Sequence, residues 1–332
     1  MLLFFSGCGK TVRLPDQSLP PATSLPEQSG LKINVFFSQT SGSYHNGGGI
    51  DDLLIESIDN AKQELLIAIY ALTNDRIRDA IVRAFERGVR VQLYTDDGAL
   101  FSDDIKYLSQ KGIIVKSDED PNALMHSKFT VIDNQIVWTG SCNYTYYAFY
   151  RNNENLIKIT GTKIADVYRE EFQEMWNNTL LTNPYRSETI EVYFSPEDDF
   201  KTRLLELIAN AKKEIRFLAF AFTDEEVART LVRKHQEGLI VQGVFDEKQN
   251  GYQKSSQYTY LKQNGIDVRL DGNKFTLHDK VMIIDDTVVT GSYNFTQKAN
   301  EINNENVVVV HNEAFKRRFM EEFSKIYAEA KP

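Results

Sequence analysis

The chain has 332 residues, 42% of them hydrophobic and 26% charged, with a formal net charge of -9. That length and balance suit two domains with cores of their own and exclude an intrinsically disordered chain. The acidic sum argues against a global pull toward nucleic acid or anionic lipid, though a local basic groove is compatible with it, and Cys8 and Cys142 form neither a disulfide framework nor a zinc spacing.

The chain begins MLLFFSGCGKTVRLPDQ. Gly7-Cys8-Gly9-Lys10-Thr11 imitates the end of a phosphate-binding loop, but the first glycine of that motif would fall on Phe4, and a proline-bearing stretch follows where a helix is required. Leu2 to Phe5 followed by Ser6-Gly7-Cys8 reads instead as a shortened export signal ending in a cysteine placed for lipidation, as in bacterial lipoproteins. Its apolar run is shorter than the usual ~7 to 15 residues and no basic residue precedes it. Export to a bacterial cell envelope with Cys8 as membrane tether is therefore set against a cytoplasmic location. Pro15, Pro20, Pro21 and Pro26 among Ser, Thr and Gln make the rest of 1–32 an extended tether. No other apolar run approaches the ~20 residues that span a bilayer.

From residue 33 one unit is used twice, over 33–182 and 188–332, with the seam in LLTNPYRSE. The copies open with NVFFSQTSG and EVYFSPEDD, followed by the amphipathic helices IDDLLIESIDNAKQE and FKTRLLELIANAKKE. LLIAIYAL and IRFLAFAF are almost wholly apolar, as strands covered on both faces are. The helices DRIRDAIVRAFERG and EEVARTLVRKHQEG end at Gly88 and Gly238, where C-caps belong. Strand, helix and strand follow in each copy. This α/β alternation predicts two tandem α-β-α sandwich repeats; packed as a pseudo-dimer, as the paired motifs below require, they would place one active site at their interface.

MHSKFTVID at 125–133 returns as LHDKVMIID at 277–285, so His-x-Lys-x-x-x-x-Asp occurs twice. Each copy is followed by a turn and a second strand ending in Thr-Gly-Ser, which reads as a hairpin. Period-two alternation puts His126 with Lys128, and His278 with Lys280, on one face. Asp133 and Asp285 fall on the other face and read as structural. Ser141 and Asn143, and Ser292 and Asn294, bring small polar groups back to the same neighbourhood. From Asp133 to Ser141 is eight positions but from Asp285 to Ser292 is seven, a change that flips strand faces unless the turn Asp285-Asp286-Thr287 absorbs it.

Displacement at phosphorus through a covalent intermediate needs a nucleophile on one side and a proton donor on the other, and one histidine cannot occupy both places. Two copies face to face supply both, with Lys128, Lys280, Asn143 and Asn294 preorganised around the phosphate oxygens. Two lysines meet that electrostatic need without a metal, and the sequence shows no convincing carboxylate or Cys/His ligand cluster; neither cofactor nor metal is expected.

In these residues the chain resembles the phospholipase D superfamily, whose motif is His-x-Lys-x4-Asp followed by Gly-Ser-x-Asn. The resemblance covers residues 33 to 331 and points to the branch of small bacterial endonucleases and cardiolipin hydrolases, some of which carry one motif per chain and complete the site by dimerising. It implies that one chain suffices here. It also implies His126 and His278 as nucleophile and general acid, with His126 attacking, Lys128, Lys280, Asn143 and Asn294 holding phosphate, and Glu154 and Glu305 accepting a hydrogen bond from the histidine rings.

The catalytic set does not choose between phospholipid and nucleic acid. Residues 271–306 hold Asp271, Asp279, Asp285, Asp286, Glu301 and Glu305 against Lys274, Lys280 and Lys298, ill suited to tracking a polyanion. Phospholipid hydrolysis is therefore the expectation, with a metal-independent endonuclease and a non-catalytic phosphate-binding module as alternatives, and transfer to an alcohol differing only in the acceptor. The aromatic stretch Tyr144 to Tyr150, with Arg151, reads chiefly as packing beneath the site, and Lys316-Arg317-Arg318 as a solvated face.

Overall fold

The computed structural model describes residues 30–40, 48–252 and 255–331; Cys8 and most of the proline-bearing tether lie outside the described residues. The first half runs β1 (Lys32–Phe37), α1 (Asp51–Asp59), β2 (Glu64–Ile69), α2 (Asp75–Glu86), β3 (Arg90–Thr95), α3 (Asp103–Gln110), β4 (Ile114–Ser117), β5 (Lys128–Ile132), β6 (Ile136–Gly140), α4 (Tyr146–Tyr150), β7 (Asn155–Thr160) and α5 (Thr162–Asn177). The second runs β8 (Tyr185–Arg186), β9 (Ile190–Ser195), α6 (Phe200–Asn210), β10 (Glu214–Ala219), α7 (Glu225–Gln236), β11 (Ile240–Phe245), α8 (Glu247–Tyr252), α9 (Tyr258–Gln263), β12 (Asp267–Leu270), β13 (Lys280–Ile284), β14 (Thr287–Gly291), α10 (Gln297–Glu301), β15 (Glu305–His311) and α11 (Glu313–Glu329).

Both sheets have one topology. The 7-stranded sheet is ordered β1-β7-β6-β5-β2-β3-β4, and the 8-stranded sheet repeats that order from β9 to β12 with the short β8 added at its edge. Strands β2, β3 and β4 pair in parallel, as do β10, β11 and β12, while the hairpin strands that follow the histidines pair antiparallel. Each sheet has an outer apolar layer of its own beneath α1, α2 and α3 or α6, α7 and α9. The inner faces, with α5 and α11, form a single core that crosses the chain's midpoint. Phe129 of the first half meets Phe194 of the second with ring centroids 6.2 Å apart, and Phe37 meets Phe319 at 5.1 Å. The aromatic stretch after the first motif largely packs, with Tyr144, Phe149 and Tyr150 buried. In the basic triplet of α11, Arg317 is exposed, Lys316 pairs with Glu214 and Arg318 pairs one turn on with Glu321, at 3.0 Å each.

The unequal hairpins keep their register because the extra residue sits in the turn. Three residues, Asp133 to Gln135, join β5 to β6, whereas Asp285 and Asp286 join β13 to β14, so Phe129 pairs with Thr139 just as Val281 pairs with Thr290. Asp133 and Asp285 take the left-handed conformation at φ 52°. Each turns its carboxylate to the start of a neighbouring strand. Asp133 accepts the N–H groups of Lys62, Gln63 and Glu64, and Asp285 those of Lys212, Lys213 and Glu214. These bonds end α1 and α6 several residues before the periodicity suggests, because the N–H groups that would follow the helix go to a carboxylate instead.

Asp285→Ala leaves three strand-entry N–H groups without that acceptor. We expect a loss of about 1–3 kcal/mol of unfolding free energy in urea denaturation; a midpoint equal to that of the wild type would show the carboxylate to be dispensable.

Candidate active site

The site is built by exchange between the halves. Each Asn-Asn-Glu-Asn phrase, 152–155 and 303–306, runs alongside the segment that leads into the other half's histidine. The Asn304 carbonyl accepts the His126 N–H at 2.9 Å, and the Asn304 N–H donates to the Leu124 carbonyl. The Asn153 carbonyl accepts the His278 N–H at 3.0 Å, and its N–H donates to the Thr276 carbonyl. The histidines therefore precede β5 and β13 instead of lying on them. Their N–H groups are committed across the halves, and the hairpin ladders begin at the lysines.

The side chains cross in the same way. His126 Nδ1 lies 2.8 Å from Glu305 Oε2, and His278 Nδ1 lies 2.9 Å from the Glu154 carboxylate. Each glutamate is held by the serine of its own half: Ser292 Oγ donates to Glu305 at 2.5 Å and Ser141 Oγ to Glu154 at 2.6 Å. The two serines thus play matching parts despite the unequal spacing before them. Since an ionised carboxylate only accepts, Nδ1 carries the proton in both rings and each Nε2 is left with a lone pair. The histidines keep a narrow opening, at 7% and 9% exposure.

Lys128 and Lys280 are buried beside them and donate to the backbone carbonyls of His126 and His278. Lys128 Nζ stands over the Tyr70 ring at 5.4 Å and Lys280 Nζ over Phe220 at 4.7 Å, and the same two rings pack on His126 and His278. Asn143 and Asn294 follow the serines, and their amide oxygens are buried without a partner among the described residues. Asp133 and Asp285 take no part in this cluster; they serve the strand starts described above.

Burial dominates the electrostatics. It pushes His126 down to about 4, Glu305 opposing it and Lys128 and Lys280 adding to the effect; burial and the two lysines likewise lower His278, with Glu154 opposing. Burial likewise brings Lys128 down to about 7 and Lys280 down to about 8, each opposed by the two glutamates. Burial alone would raise Glu154 and Glu305, but their histidine partners, the nearby lysines and the serine hydroxyls together leave both lowered. Each histidine feels both lysines and each lysine feels both glutamates, so the two halves form one electrostatic cluster.

Several positioning groups escaped the motif. Asp96, at the end of β3, accepts the Met125 N–H at 3.1 Å, and Asp246, at the end of β11, accepts the Leu277 N–H at 3.0 Å, so each holds the residue before a histidine. Asn306 accepts the Lys128 N–H and donates to Thr139 Oγ1, both at 2.7 Å, while Asn155 accepts from Thr290 at 3.2 Å. Aligning the two copies beyond the motif reveals these pairs, since each recurs at the matching position. Two carboxylate groupings stand outside the motif. Asp96, Asp97 and Asp118 bring ligand-capable oxygens within 4.8 Å of one another, as do Glu171, Glu174 and Glu197. Both triads join elements distant in sequence, which spacing does not show. Apolar side chains flank the exchanged bridges: Leu124 is 38% exposed, Ile302 41% and Tyr147 54%, the last packed against Phe275.

The family model described as cardiolipin synthase, PLD-like domain, matches residues 54–176 and again 204–327. A mitochondrial cardiolipin hydrolase of Chlamydomonas reinhardtii is 28% identical over 173 residues, 52% of this chain and 74% of that protein. Cardiolipin synthase B of Salmonella typhimurium is 24% identical over 314 residues, 81% of this chain and 76% of its own. The chain spans between 49% and 63% of the length of the animal mitochondrial cardiolipin hydrolases it also matches. Among solved structures, the phosphatidylserine synthase of Haemophilus influenzae shares the fold with a TM-score of 0.66 at 14% identity, over 90% of this chain and 86% of that one.

Histidine-selective 15N NMR should find His126 at pH 7 as the neutral Nδ1–H tautomer, with a titration midpoint near 4. A midpoint at or above the ordinary ~6.5 would refute the burial described here.

Proposed function

The chain belongs to the cardiolipin synthase and phospholipase D-like domain family and is a phosphodiesterase-type enzyme, and we propose that it hydrolyses a phospholipid phosphodiester through a covalent phosphohistidine. The crossed pairing of His126 with Glu305 and His278 with Glu154 carries this assignment, because it leaves two Nε2 lone pairs in one cluster with two lysines.

His278 enters the reaction as the imidazolium, having taken a proton from solvent at Nε2 as the phosphodiester anion binds; His126 Nε2 attacks phosphorus, the bond to the leaving alcohol oxygen breaks, and that oxygen takes the Nε2 proton of His278. In the second step a water gives its proton back to His278 as its oxygen attacks phosphorus, and the P–N bond breaks to release a phosphomonoester and neutral His126. Glu305 stabilises the cationic phosphohistidine, and Glu154 the His278 imidazolium. The lysines, lowered by burial and in Lys128 also by Lys280, regain affinity for protons when a phosphodiester anion lies between them, so substrate charge and lysine charge support one another. Asn143 and Asn294 offer amides to the nonbridging oxygens.

A lipid substrate is favoured over nucleic acid by the exposed Leu124, Ile302 and Tyr147 beside the two bridges, which suit acyl and interfacial surroundings better than a phosphate backbone. The named activities of the cardiolipin hydrolase and synthase relatives point the same way. Transfer to an alcohol is the second reading. It is favoured by the match to a cardiolipin synthase along 81% of this chain, and it replaces water with an alcohol in the second step. Among the described residues no helix is long and apolar enough to cross a membrane.

Wild-type protein in EDTA should cleave bis-p-nitrophenyl phosphate, and His126→Ala should reduce the rate by ~10³-fold or more. Equal rates in the two would remove the assignment. A panel of cardiolipin, phosphatidylcholine, phosphatidylglycerol with and without added glycerol, DNA and RNA then separates the readings, and preferential turnover of a nucleic acid would overturn the lipid proposal.

A further inference from the structure

The two halves carry a glutamate at matching places on their long helices, Glu171 on α5 and Glu322 on α11, but provide for it differently. Aromatic packing fixes the match. Tyr168, one turn before Glu171, meets Phe194 with ring centroids 5.2 Å apart, as Phe319, one turn before Glu322, meets Phe37 at 5.1 Å. One turn beyond Glu322 stands Lys325, whose Nζ lies 3.3 Å from the Glu322 carboxylate. One turn beyond Glu171 stands another acid, Glu174. Thr40 follows Phe37 at the same interval at which Glu197 follows Phe194. The α5 side therefore lacks the lysine and has two further carboxylates, and Glu171, Glu174 and Glu197 bring one oxygen each within 4.8 Å of one another.

Burial separates this cluster from an ordinary acidic surface. Glu171 is 5% exposed, and its carboxylate has neither an ion pair nor a nitrogen donor among the described residues. The charged groups acting on it are Glu197, Glu174 and Asp198. Glu197 Oε2 is likewise buried without a partner. Glu171 and Glu197 both face a cavity of about 160 Å³, whose wall also carries Asn178, Thr179 and Asp118, the last with its Oδ2 buried and unpartnered. Carboxylates gathered in this way repel one another and lose hydration, and an enclosed cation with room beside it for water offsets both costs.

We propose that Glu171, Glu174 and Glu197 bind a hard divalent cation of the calcium kind at the seam between the halves. The donors are all oxygen, which disfavours the softer metals that seek thiolate or imidazole, and an irregular carboxylate set completed by water suits the about 6–8 loosely directed ligands of Ca²⁺. The same groups hold the connection from α5 to β9. The Leu181 N–H donates to Glu174 at 3.0 Å, Thr182 Oγ1 to the Glu197 carbonyl at 3.0 Å, and the Asn183 N–H to Asp198 at 3.1 Å. The cation thus does for α5 what Lys325 does for α11, and it fastens the seam as well. It takes no part in the chemistry at His126 and His278, so turnover in EDTA is a separate result. Without it, burial and the neighbouring carboxylates raise Glu171 and Glu197, and a proton shared between them is the competing arrangement.

The test strips the full chain with EDTA, exchanges it into chelator-free buffer near neutral pH and titrates it with CaCl₂ by calorimetry, with the thermal midpoint followed by circular dichroism. Wild type should take up one Ca²⁺ per chain with a Kd of about 10⁻⁴ M or tighter. Its midpoint should rise by about 3 °C or more at about 100 times Kd. Glu171→Gln and Glu174→Lys, the second copying the arrangement on α11, should each weaken Ca²⁺ uptake by at least about tenfold and lose the shift. Glu174 is only partly buried, so its variant decides even where Glu171→Gln does not fold. Wild type that takes up no Ca²⁺ and keeps its midpoint leaves the shared proton in place and overturns the inference. A Ca²⁺ response as large in Glu174→Lys as in wild type overturns it too, since the ion then binds elsewhere.

Discussion

Two buried glutamates, each anchored in one half and bonded to the histidine of the other, are the constraint on which the rest of the structure depends. A carboxylate with almost no exposure is costly unless an opposite or hydrogen-bonding partner meets it, and removing one partner of such a pair commonly costs about 3–5 kcal/mol. Neither half meets its own requirement. Glu154 has Ser141 at home but finds its histidine only across the boundary, as does Glu305. Satisfying both at once fixes the distance and orientation between the sheets, which is why the inner core runs through both halves without interruption.

Backbone exchange reinforces this. Because the N–H groups of His126 and His278 go to carbonyls of the opposite half, the histidines cannot follow local strand geometry and are set by the partner half. Asp96 and Asp246 fix the preceding residue from within the same half. Each imidazole is thus held from both sides, by a carbonyl and a carboxylate of the other half and, through the preceding residue, by an aspartate of its own. Such support keeps a reactive geometry in place without strain in the ring itself.

Pseudo-symmetry is respected where geometry demands it and relaxed where chemistry differs. The hairpins have unequal turns yet equal pairing, so Thr139 and Thr290, and Ser141 and Ser292, occupy matching places. The inner residues diverge instead. Tyr70 faces one histidine and Phe220 the other, and Ser127 stands where Asp279 does. Phosphodiester cleavage through a covalent intermediate is itself asymmetric, since one ring bonds to phosphorus while the other moves a proton. A single chain can encode that difference; two identical chains begin without it.

The sequence by itself determined the repeat, the fold class and the paired motifs. Apolar runs such as LLIAIYAL and IRFLAFAF and the spacing of His126-x-Lys128 and His278-x-Lys280 express local periodicity, and periodicity is a property of neighbouring residues. Asp133 and Asp285 were legible as structural from their odd spacing, although the strand starts they hold were not. The tertiary structure alone decided that Glu305 serves His126 and Glu154 serves His278, that Asn155 reaches Asp279, and that three carboxylates gather at Glu171. Those contacts join positions up to 179 residues apart, and no local pattern carries information about which of two equivalent partners a buried charge will find. Tertiary packing decides it, because the segments that carry Glu154 and Glu305 each run beside the lead-in to the other half's histidine.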